Sequence, residues 1–105
     1  MSGPWLSVIM PTFDGDAHLE AALASLVAQE EPGFEVIAVD DGSADATLQI
    51  LHTYADRLPM TIVERQHTGN WVANTNHGMG LAKGPFLAIL HQDDLWHPHR
   101  LAELK

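Results

Sequence analysis

The chain has 105 residues, 46% of them hydrophobic, and 14 acidic against 5 basic residues give it a formal net charge of −9. That length and apolar content suit one small globular domain and exclude a disordered chain, while the acidity argues against nucleic acid or an anionic membrane surface as partner. There is no Cys, hence no disulfide framework and no thiolate zinc site; no apolar run is long enough to form a membrane segment, and the start MSGPWLSVIM lacks the basic region and cleavage site of a signal peptide, so a soluble, cytoplasmic domain is expected.

Taken in order, Leu6 to Met10 is a β-branched-rich run stopped by Pro11, the pattern of a buried strand that leaves as a loop. Asp16 is placed to cap a helix reaching about Gln29, since Leu19, Leu23, Leu26 and Val27 recur at helical spacing. Pro32 and Gly33 end it, and Phe34 to Val39 forms a second strand closed by Asp40, Asp41 and Gly42. Ser43 is the expected N-cap of a second helix, with Asp45 in its first turn and Leu48, Leu51, Ala55 and Leu58 as its buried stripe. Pro59 breaks that helix, and Met60 to Glu64 is a third, shorter strand. After a polar loop, Trp71 to Lys83 predicts a third helix on Val72, Met79 and Ala82, stopped by Gly84. The stretch from Phe86 to Pro98, FLAILHQDDLWHP, begins as a fourth apolar strand and ends in Gln92, Asp93 and Asp94, between His91 and His97. Pro98 then fits the first turn of a last short helix. Leu101 and Leu104 have little chain left to pack against, so the sequence is expected to be a fragment of a longer protein.

This β-α-β-α-β-α-β-α order with continuous apolar strands predicts an α/β fold whose parallel sheet is covered on both faces, with ligands at the carboxyl ends of the strands. The unusual polar residues fall there: Pro11 to Asp14, Asp40 to Ser43, and His91 to Asp94. Adjacent carboxylates repel, so keeping Asp93 and Asp94 both ionised calls for a cation. His97, His99, Trp71 and Trp96 read chiefly as surface or packing residues, Trp96 being the better placed of the two tryptophans for a ligand.

The first strand and loop (SVIMPTFDG), the second (FEVIAVDDGSADAT), the series Asn76, Gly78, Ala82, Lys83, Gly84, and the QDD ending resemble, in this order, the amino-terminal half of a family 2 glycosyltransferase. The resemblance implies a Rossmann-like GT-A fold, a three-layer sandwich around a mostly parallel sheet, here truncated, with residues 1–105 as its nucleotide-sugar-binding part. It implies donor contacts from Pro11, Thr12, Phe13, Asp41, Asn70, Asn76 and Asp93, and a metal site at Asp94 and Asp93 with His91 as a further candidate. The implied cofactor is Mn2+ or Mg2+, and the implied partners are a nucleotide-diphosphate sugar, UDP-linked by expectation, and a saccharide or lipid-linked acceptor. The reaction would invert the anomeric centre, with its general base beyond Lys105. Two departures stand out. His91 occupies a place that is acidic in many members, and HTGNWVANTNHG at the third helix offers no Arg or Lys to the nucleotide. The rival classes are a non-catalytic sugar-nucleotide-binding or regulatory domain and an NAD-type oxidoreductase, the latter disfavoured because PTFDGD lacks G-x-G-x-x-G.

Overall fold

In the computed structural model, which describes residues 3–105, the strands β1 (Leu6–Thr12), β2 (Phe34–Asp40), β3 (Met60–Glu64) and β4 (Phe86–Ile89) form one sheet in the order β3-β2-β1-β4. All three pairings are parallel. The helices α1 (Leu19–Val27), α2 (Thr47–Tyr54), α3 (Trp71–Leu81) and α4 (Arg100–Leu104) follow the strands in strict alternation. The fold is the expected α/β arrangement, and the strand order reverses between β1 and β4.

Strand periodicity sorts the core into two layers. Leu6, Val8 and Met10 of β1 and Phe34, Val36 and Ala38 of β2 meet Leu19, Leu23 and Leu26 of α1, Leu51 and Tyr54 of α2, and Leu101 of α4. Ile9, Ile37 and Val39 face the other way, onto Met79 and Ala82 at the end of α3. Leu101 is fully buried, so the last helix packs better than its length suggests, whereas Leu104 is exposed.

Several boundaries differ from expectation for local reasons. β1 continues through Pro11 to Thr12. Leu90 N–H donates to Ile9 O and Asp41 N–H to Thr12 O, so alternate residues of β1 address β4 and β2. Pro11 addresses the β4 side beyond the last β4 pairing, at Ile9 and Ile89, where a missing N–H costs nothing. Asp16 does not cap α1, which starts at Leu19 with no side-chain cap, and Val27 is exposed, outside the buried stripe. Ser43 does not cap α2, which starts at Thr47. In α3 the buried positions are Asn74, Thr75 and Gly78, while Val72 is exposed. The sheet is not covered on both faces throughout: β4 lies at its edge with Phe86, Leu87 and Ile89 exposed. No helix among the described residues is long and apolar enough to cross a membrane.

Candidate functional site

The loops leaving β1 and β2 are laced together at the carboxyl edge of the sheet. Thr12 Oγ1 donates to Asp40 Oδ1, and Asp40 also accepts from the N–H and hydroxyl of Ser43. Asp14, at a positive φ of 43°, donates its N–H to Ser43 Oγ and accepts from Ala44 N–H. Gly15 N–H reaches Thr47 Oγ1, and Asp16 pairs with the backbone of Ala46 while its own N–H reaches Asp45. Asp45 accepts from Thr47 N–H, two residues on, in an Asx turn that replaces the expected first-turn role. Asp40, fully buried, is spent on this lacing.

Asp41 points the other way and organises the loop before α3. Its Oδ1 accepts from Thr68 N–H and Oγ1, and its Oδ2 from Gly69 N–H. His67 Nδ1 lies 2.9 Å from Oδ2 and 3.1 Å from the Asp41 carbonyl, so that nitrogen faces two acceptors and carries the ring proton. Burial pushes the Asp41 carboxyl up, but the Asn74 side chain and the Thr68 and Gly69 donors outweigh it and hold the group well below the usual carboxylate range. Gly42, at φ 75°, lets this loop pass: a Cβ there would sit 2.8 Å from His67 N. The His67 ring stacks on Phe13, with centroids 4.4 Å apart and planes within 20°. Behind Asn74, Arg65 Nη1 donates to its Oδ1.

The third wall comes from the end of β4. Gln92 acts as a surrogate peptide group, its Oε1 accepting from Phe13 N–H at 2.8 Å and its Nε2 donating to Phe13 O at 2.9 Å. A side-chain amide is the neutral group with both a donor and an acceptor in that geometry, and the two bonds tie the β4 exit to the β1 loop where β4 itself has ended. The turn closes with Asp94 N–H on His91 O. Between these walls lies a cleft of about 340 Å³ lined by Pro11, Thr12, Phe13, Asp41, Gly69, Trp71, Asn74, His91, Gln92 and Asp93.

Of the residues singled out in the sequence, the structure brings Pro11, Thr12, Phe13, Asp41, Asp93 and His91 together at this cleft, and leaves Asn70, Asn76 and Asp94 outside its lining. Asn70 is the N-cap of α3, its side chain accepting from Ala73 N–H, and Asn76 is exposed on the helix. Gln92 and Gly69 also line the cleft without having been expected to contact a ligand, as do Trp71, read chiefly as a packing residue, and Asn74, a stand-in for the basic residue that the third helix lacks. Trp96 packs as expected, partly buried against the core with Arg100 over its ring, but it is Trp71, not Trp96, that is exposed at the cleft. His97 and His99 pair with Glu103 and Glu30, away from the acidic turn.

Among the described residues no group of three or more His, Cys, Asp or Glu side chains could hold a metal ion. Asp93 and Asp94 are exposed neighbours on one turn, with His91 before them. Such a donor set fits a hard divalent cation that takes only one or two carboxylates from the protein and completes its shell with substrate oxygens and water.

Comparison with known proteins gives the same outline. The family model for Glycosyl transferase family 2 matches residues 7–105. Validoxylamine A glucosyltransferase of Streptomyces hygroscopicus subsp. limoneus is 41% identical over 90 residues, covering 83% of this chain and 20% of that protein. The structure of S. aureus TarS 1-349 in complex with UDP-GlcNAc superposes with a TM-score of 0.92 at 31% identity, over 99% of this chain and 30% of that one. The mannosyltransferase PcManGT from Pyrobaculum calidifontis, in complex with GDP-Man and Mn2+, gives 0.87 at 28% identity, over 97% and 31%. The chain thus spans between a fifth and a third of the length of these relatives.

Proposed function

The chain belongs to glycosyl transferase family 2, and from that premise we propose that residues 1–105 are the nucleotide-sugar-binding part of an inverting glycosyltransferase. The observation that carries this reading is the cleft itself. It opens at the carboxyl edge of β1 and β2, beside the reversal of strand order, where open α/β sheets bind ligands, and it joins an aromatic face, a hydrogen-bonded carboxylate and an acidic turn.

Phe13 offers its ring to a nucleobase, and Gln92 fixes the Phe13 backbone so that the ring does not have to be ordered on binding. Asp41 shapes the pocket floor by holding the 67–69 loop, and Thr12 and Asp93, which line the cleft beside it, are assigned to the ribose, Thr12 as an acceptor because its hydroxyl proton goes to Asp40. A UDP-linked donor is the one assigned, as in the TarS complex with UDP-GlcNAc at 31% identity; PcManGT with GDP-Man, at 28%, makes a guanine nucleotide the comparison ligand. A divalent ion held by Asp93 and Asp94, Mn2+ or Mg2+, with His91 beside them, would supply charge neutralisation at the leaving nucleotide diphosphate. The acceptor, a saccharide or a lipid-linked hydroxyl, and the general base that deprotonates it are assigned to a segment outside residues 1–105, since the chain covers only 20–31% of the relatives compared.

Calorimetric titration of UDP into the chain, with and without Mn2+, tests the assignment. Binding is expected to tighten at least tenfold with Mn2+; Asp94→Ala is expected to remove most of that gain while sparing uridine binding, and Asp93→Ala to remove it while also weakening uridine through the lost ribose contact. Metal-independent UDP binding untouched by either substitution would remove the metal role, and no UDP binding under any condition would remove the nucleotide reading.

A further inference from the structure

One aromatic residue at the cleft has no role in the reading above. Trp71 is the first residue of α3, directly after the Asn70 cap, and it is 55% exposed. Core packing does not account for it: the buried positions of α3 are Asn74, Thr75 and Gly78, and the helix meets the sheet through its later turns. Its ring lines the cleft together with Phe13, the two rising from different walls, one at the start of α3 and one after β1. Nor is the indole loose. His91 meets it edge to face, with centroids 5.5 Å apart and planes at 75°, the arrangement favoured by aromatic quadrupoles.

The composition of the cleft sharpens what such a ring is for. No Lys or Arg lines it, and the one deep carboxylate, Asp41, already accepts from Thr68, Gly69 and His67. A nucleotide entering this space finds few unspent charged partners, so a large share of its affinity has to come from faces of π-systems. We infer that Trp71 is a ligand-contacting residue: its indole, braced by His91, forms a second aromatic wall against the nucleobase, together with Phe13. The inference rests on the nucleotide-binding reading of the cleft and adds to it a residue and a mode of recognition.

The test uses the 105-residue chain with uridine and UDP as probes, reading affinity by calorimetry and indole fluorescence at saturation. Trp5 and Trp96 lie outside the cleft lining, so a ligand-induced fluorescence change is expected in the wild-type chain and is expected to vanish in Trp71→Phe. Stacking contacts of this kind are worth roughly five- to a hundredfold in affinity. Trp71→Ala is expected to weaken both uridine and UDP by about tenfold or more, and Trp71→Phe by severalfold at most. Trp71 is exposed, so its variants should fold; circular dichroism and an unchanged unfolding midpoint verify this. Wild-type binding of UDP together with undiminished affinity in Trp71→Ala, or with no fluorescence change, overturns the inference and leaves the nucleotide reading intact. Absence of UDP and uridine binding in the wild type overturns both.

Discussion

Asp41 shows how one residue can be placed correctly by sequence and still have its main task hidden. Its position after β2 marks it as a site residue, but its partners are Thr68, Gly69 and His67, 26 to 28 residues further on, and nothing local in the sequence announces a loop that returns to it. The same is true of Gln92, whose peptide-like bonds to Phe13 span 79 residues; a Gln beside an Asp pair reads as part of the pair, although its amide is the only group there that can both donate to and accept from a backbone. Removing the carboxylate in Asp41→Ala strands several loop donors and is expected to cost about 2–4 kcal/mol of stability. The pH dependence has a definite sign. A carboxylate held below its ordinary range binds fewer protons folded than unfolded, so its contribution is fully present above the unfolded value of about 3.9 and is lost as the pH falls below it. Urea unfolding of the wild type and Asp41→Asn between pH 7 and pH 3 should show a stability difference that is flat down to about pH 4.5 and then shrinks. A difference that grows on acidification would mean that the carboxylate is not stabilised by its neighbours.

At the scale of elements, type and order were legible because each strand is a continuous apolar run and α1 and α2 carry a buried stripe; the start of α3 at Trp71 was legible too, whereas the starts of α1 and α2 were not. Asp16, Ser43 and Asp45 carry capping chemistry, but the chain uses them to bind the β1 and β2 loops to each other. α3 was the least legible element, because it approaches the sheet through polar and small residues instead of an apolar stripe. Gly78 is the reason it can. A Cβ at this position would lie 2.9 Å from Ile9 Cγ2 and 3.0 Å from Val39 Cγ2, both on stiff β-branched side chains of the two central strands. Gly78→Ala gains helix propensity worth up to about 1 kcal/mol, and overpacking costs about 1–3 kcal/mol. Since neither methyl can rotate away freely, the loss should win, with a net destabilisation of about 1–2 kcal/mol read from urea unfolding. Gly80, with nothing within 4 Å of its Cβ position, is the internal control: Gly80→Ala should be neutral or stabilising. β4 erred in the opposite direction. Its apolar composition predicts burial, yet composition cannot distinguish a covered strand from an edge with Phe86, Leu87 and Ile89 exposed.

The whole molecule sets one further condition on any nucleotide that enters the cleft. A formal net charge of −9 opposes a diphosphate, and the local features that normally offset such repulsion are already committed. The N-terminal end of α3 is one of them, since helix N-termini attract anions, but Asp41 lies against the Thr68 and Gly69 amides that lead into it, and the Asn70 side chain takes Ala73 N–H. Arg65 is the other, and its guanidinium is engaged with Asn74, behind the wall. The dipole field fades within a turn of the helix, whereas the field of the net charge reaches out to a Debye length, about 10 Å at 0.1 M salt. The long-range repulsion should therefore decide the sign of the salt effect in the absence of a divalent ion. At about pH 8, raising NaCl from about 20 to about 300 mM is expected to tighten UDP binding severalfold without Mn2+ and to leave uridine unchanged. A basic nucleotide site behaves in the opposite way, because salt screens its attraction. With saturating Mn2+ the dependence should flatten or reverse, because the ion proposed for Asp93 and Asp94 would bring positive charge to the acidic turn. If salt weakens metal-free UDP binding instead, an attractive local field must outweigh the net charge, and Arg65→Gln is the variant that would then identify its source.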